Sequence, residues 1–101
     1  MAARRTHRIN PIKVNGVTVV QVIIDPHYEK KHLDHIDDST ILKLVQKLDG
    51  RFELPESQAG KYSYFATLIE LEAKQYRLIW LLENDALYIG VVNAFSDKRK
   101  K

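Results

Sequence analysis

No cysteine occurs in the chain, so no disulfide staples it, no thiolate holds a metal and no thiol serves as nucleophile. A reducing, cytoplasmic setting fits that absence. Apolar runs long enough to cross a bilayer are also missing. The opening Met-Ala-Ala-Arg-Arg carries basic residues with no apolar stretch behind them, so neither a membrane span nor a secretion signal is expected. The glycines at 16, 50, 60 and 90 are scattered and form no phosphate-binding loop, which speaks against a nucleotide-dependent enzyme. No serine elbow supports a hydrolase triad, and neither an internal repeat nor a low-complexity segment appears. No cofactor is implied.

What is present suits one compact domain: 101 residues, 45% of them hydrophobic, supply material for a single core and leave no room for a second. The net charge of +3 is modest, but it is unevenly placed. Arg4, Arg5, Arg8 and Lys13 precede the first acidic residue, Asp25, and Lys98, Arg99, Lys100 and Lys101 close the sequence. Such ends suit phosphate contacts, and they also keep a small protein soluble.

Residues 1–11 are polar and basic, contain Pro11 and lack periodicity, so they are expected to form a flexible arm. The domain is expected over 12–96, with 97–101 as a basic tail. β-branched residues flank Asn15-Gly16, a strong hairpin signal because both turn residues tolerate positive φ. The second arm, 17–24, is apolar on both faces and reads as a central strand. Asp25-Pro26 then caps a first helix over 27–35. Asp37-Asp38-Ser39-Thr40 caps a second, whose Ile41, Leu42, Leu44, Val45 and Leu48 recur at helical spacing before Gly50. A loop over 51–60 leads to three strands, 61–72, 75–83 and 86–95, joined by turns too short for anything but an antiparallel meander. The expected class is therefore α+β: an N-terminal hairpin, two helices, and a three-stranded meander in one sheet with the helices on one face.

Cleavage of RNA by its own 2′-hydroxyl needs a base, an acid and positive charge on the phosphorane. His27, His32 and His35 cluster on the first predicted helix, where an unperturbed imidazole titrating near pH ~6.5 is suited to moving protons. They are equally well read as solvated helix residues. His32, His35 and Asp34 or Asp38 could bind zinc, but the spacing is not diagnostic and no metal site is assigned. Arg77 alternates with Ile79 and Leu81 on a sheet face and so requires an anion, either a carboxylate such as Glu70 or Glu83, or a phosphate. Among the aromatics, Tyr62 and Tyr88 are the candidates for stacking on bases. Trp80 is most simply core.

The strand Tyr76-Arg77-Leu78-Ile79-Trp80-Leu81-Leu82, its acidic turn, the strand 87–92 and the following Lys98-Arg99 resemble the RelE/ParE superfamily of bacterial toxins. That resemblance spans roughly residues 19–99. It implies messenger RNA cleavage without a metal for RelE-like members, gyrase inhibition without cleavage for ParE-like ones, and an antitoxin partner for both. By resemblance, Arg77 and Lys61 would meet phosphate and Lys98 or Arg99 would anchor RNA. Two features depart from the pattern: no tyrosine or histidine follows the basic pair, and an extra strand precedes the domain. The expectation is thus a cytoplasmic RNA-cleaving or RNA-binding toxin domain acting on RNA or the ribosome, with a homodimer left open. The alternative is a non-catalytic protein-interaction module.

Overall fold

The computed structural model describes residues 4–25 and 36–96. Six strands, β1 (Arg5–Val14), β2 (Val17–Ile24), β3 (Ser57–Ala59), β4 (Tyr62–Leu71), β5 (Lys74–Glu83) and β6 (Tyr88–Ser96), form one sheet, and α1 (Asp38–Gln46) packs on one of its faces. The strand order is β1-β2-β6-β5-β4-β3. All neighbours are antiparallel except β2 and β6, which run parallel in the interior of the sheet, with Gln21 opposite Tyr88 and Ile24 opposite Val91.

The Asn15-Gly16 turn joins β1 to β2, both residues having the positive φ (53° and 75°) that a two-residue hairpin needs. α1 begins at Asp37, whose side chain accepts from the Thr40 N–H at 2.9 Å. Its Ile41, Leu44 and Val45, with Leu48 in the turn beyond, bury against Val14, Val19, Val22, Phe65, Ile69, Leu78, Trp80 and Ile89 of the sheet. Trp80 is fully buried and stacks on Phe65, with ring centres 4.1 Å apart and planes 12° off parallel. Its indole N–H donates to the Thr67 hydroxyl at 3.0 Å, which in turn donates to Glu53. This core tryptophan therefore leaves no polar atom unpaired.

This architecture corrects the expected α+β class. The described residues are mostly strand, in a six-stranded mixed sheet with one nine-residue helix, and they do not form a two-helix arrangement over a three-stranded meander. The first predicted helix, 27–35, lies outside the described residues. The meander has four strands, because Ser57–Ala59, expected as loop, pairs with β4. The segment expected as an arm is, from Arg5 onward, the edge strand β1. Its alternation is broken by a bulge: Arg5, His7 and Ile9 face the helix, the register then shifts between Arg8 and Ile12, and Ile12 and Val14 face it afterwards. Pro11 sits within that shift on an edge strand, where a missing N–H removes little from the sheet.

A charged cluster fastens this edge to the helix. Arg5 grips Asp38 with two hydrogen bonds of 2.8 Å, and His7 Nε2 lies 2.8 Å from the same carboxylate. The Arg5 guanidinium, and secondarily His7, hold the Asp38 carboxyl below its ordinary 3.8.

Candidate nucleic-acid interface

The helix occupies only one face, so the alternate residues of every strand build a second face whose contents follow from the registers. One row across the sheet runs Arg8, Gln21, Tyr88, Glu83, Tyr62. The next runs Thr6, Ile23, Gly90, Leu81, Tyr64. Tyrosines at 62 and 64 project side by side because they are two apart on β4, and Tyr88 joins them across the strand between.

These rows enclose a cleft of about 360 Å³, lined by Tyr62, Tyr64 and Tyr88, with Ile23, Leu81 and Val92 as apolar wall and Arg4 and Asp25 at one end. Its floor includes Gly90, where a Cβ would approach the Leu81 side chain to 2.9 Å, so glycine lets Leu81 lie flat across the sheet. Tyr62 and Tyr64 form a tilted pair with ring centres 6.4 Å apart. The cleft is large enough for a planar base with part of its sugar, and its walls are half-buried aromatic rings.

The rim is held in place by a chain of contacts. Tyr88 donates its hydroxyl to Glu83 at 2.6 Å, Glu83 accepts from Lys61 at 3.0 Å, and the Lys61 ammonium lies 5.6 Å from the centre of the Tyr62 ring. Burial, then the neighbouring Glu83 carboxylate, push the Tyr88 hydroxyl up to about 12, so it stays protonated as a donor at any physiological pH. The hydrogen bond from Tyr88, then that from Lys61, hold Glu83 below the ordinary carboxylate range, and Glu83 raises Lys61. The Tyr88 ring is thereby fixed in orientation, as a stacking surface requires.

The expected site residues are dispersed. Tyr62 and Tyr88 share the cleft. Lys61 is at the rim, bound to Glu83. Arg77 is half-buried on the same face but lies between Leu68 and Phe95, six residues along β5 from Glu83, which is roughly 20 Å away. Glu83 is therefore out of its reach, and Arg77 and Lys61 do not converge on one phosphate. His27, His32, His35, Asp34, Lys98 and Arg99 lie outside the described residues. Asp38, considered for a metal, is instead engaged by Arg5 and His7.

Arg4 belongs to the basic N-terminal segment expected to suit phosphate contacts, whereas Tyr64 and Asp25 were not anticipated as part of a site. A signal for Tyr64 existed in the alternation of Tyr62 and Tyr64 just after the Gly60-Lys61 turn. Among the described residues no helix is long and apolar enough to cross a membrane. Comparison of the chain with protein-family models, curated proteins and solved structures returns no match.

Proposed function

We propose that the face of the sheet opposite α1 binds single-stranded RNA, with bases stacked on Tyr62, Tyr64 and Tyr88 and phosphates met by Arg4 and Arg8. The observation that carries this reading is the convergence of three tyrosines on one cleft with an arginine at its end. Aromatic rings accept any base, and arginines at the margin supply the backbone attraction, a division of labour suited to unpaired strands. Duplex RNA hides its base faces and would not enter. The basic chain and the likeness of the Tyr76-Arg77-Leu78 strand to RelE/ParE toxins agree with an RNA or ribosomal target, an antitoxin partner and a cytoplasmic setting, which belong to the same proposal.

Binding is favoured over cleavage because Lys61 is committed to Glu83 and Arg77 stands at the far end of the face. The test is fluorescence anisotropy with a labelled single-stranded RNA in EDTA, followed by mapping of its ends, with RNA on translating ribosomes as a second substrate. Intact RNA bound with a salt slope of about −0.7 per contacted phosphate supports the reading. Products with 2′,3′-cyclic phosphate ends would replace binding by catalysis, and absence of binding in both settings would reject the RNA reading.

A further inference from the structure

The segment between α1 and β3 displays two large apolar side chains almost fully: Phe52 is 81% exposed and Leu54 88%. A loop would ordinarily leave such residues mobile, but here the backbone is clamped from one side. Asn15 donates its side-chain amide to the Glu53 carbonyl at 2.9 Å and accepts from the Glu53 N–H at 2.7 Å. The Asn15 N–H donates to the Arg51 carbonyl at 3.0 Å, and the Glu56 N–H donates to Tyr64 at 2.8 Å. The hairpin-turn asparagine thus acts as a short strand partner to 51–53.

Because backbone groups alternate in an extended segment, this clamp turns the N–H and C=O of Arg51 and Glu53 inward and those of Phe52 and Leu54 outward. Among the described residues no hydrogen bond reaches the N–H or C=O of Phe52 or Leu54. The molecule therefore carries an open edge held on its inner side by Asn15, with an apolar face, the feature that pairs with another strand.

We propose that the occupant of this edge is a second copy of the same chain, paired antiparallel about a two-fold axis at Phe52. That register makes Phe52 a hydrogen-bonded pair with its own copy and sets Leu54 diagonally against the other Phe52. It also places Arg51 directly opposite Glu53 of the second copy, twice, at the close non-hydrogen-bonded positions. Arg51 and Glu53 already lie 3.5 Å apart within one chain, so pairing completes a ring of alternating charges. A shift of two residues would oppose Glu53 to Glu53, and charge complementarity therefore selects the register. Four side chains of this size bury less than the roughly 1,200 Å² typical of a stable interface, so the dimer is weak and concentration-dependent.

Sedimentation velocity of the full chain, from about ten micromolar to about one millimolar, tests this. A monomer–dimer equilibrium is expected in that range. F52S/L54S should remain folded by circular dichroism and be monomeric throughout. R51E and E53R should each be monomeric alone, and mixing the two should restore a dimer, because the mixture again sets opposite charges across the axis. A wild-type monomer at every concentration, a dimer that F52S/L54S leaves intact, or a mixture of folded charge variants that stays monomeric would overturn the proposal. The inference is independent of RNA binding, since neither Phe52 nor Leu54 lines the tyrosine cleft.

Discussion

The two faces of the sheet are built from alternate residues of the same strands, yet they solve different problems. Under α1 the face is aliphatic, with Val19, Val22, Leu78 and Ile89 at zero exposure around Trp80. On the other face the corresponding positions are Tyr62, Tyr64, Leu81 and Tyr88, all half-buried, with arginines at the margin. Stability resides in the first, where every group is shielded and paired. The proposed recognition falls to the second, where rings that carry a polar tip line a cleft. Period-two alternation lets one strand serve both purposes without compromise.

The largest effect should come from breaking the covered face. Trp80→Ala removes the stacking partner of Phe65 and the indole N–H that donates to the Thr67 hydroxyl, and about 3–5 kcal/mol of unfolding free energy should be lost in a denaturant titration. A loss under about 1 kcal/mol would mean that the helix-covered face is not the seat of stability.

An intermediate effect should come from the open face. Tyr64→Ala should weaken RNA binding by about 1–3 kcal/mol, roughly fivefold to 150-fold, while changing unfolding free energy far less than Trp80→Ala. If both changes unfolded the protein equally, the division between the faces would fail. If Tyr64→Ala altered neither quantity, the cleft would not be the binding site.

The smallest effect concerns the edge of the covered face, where β1 is tied to α1. Asp38 has a folded value below its ordinary 3.8, so the proton binds the unfolded chain more readily and the pair stabilises the fold above that pH. The stabilisation is lost as pH falls through the folded value. Because the cluster is about one-third exposed, the contribution is at most about 1 kcal/mol. Asp38→Asn should therefore be less stable than the parent by that amount at neutral pH, with the gap closing below about pH 4. A gap that persisted into strong acid would assign the loss to packing rather than charge.

Local signals in the chain were readable and distant ones were not. Asn15-Gly16 announced its turn, Asp37 its cap, and Trp80 its burial, because each depends on a few neighbouring residues. β1 was hidden because its bulge near Pro11 interrupts the alternation that identifies a strand. The β4–β5 turn falls at Glu72-Ala73, one residue before the expected 73–74, where both residues adopt positive φ (54° and 68°) without glycine or asparagine to signal it. The parallel pairing of β2 with β6 joins segments from opposite ends of the described chain, and no local pattern encodes it. The cleft depends on that pairing, since it brings Ile23 beside Gly90 and Gln21 beside Tyr88. Tyr62 and Tyr88 could be named singly, but their convergence required the registers.

That parallel pairing also sets a timetable for the nascent chain. During synthesis the β1–β2 hairpin is made before β6, so β2 must wait for that later strand before its inner edge is closed. The sheet can be sealed only once β6 clears the ribosomal exit tunnel, and Tyr88 arrives on that strand. Until then there is no complete cleft, so a half-made molecule lacks the surface with which it would engage RNA.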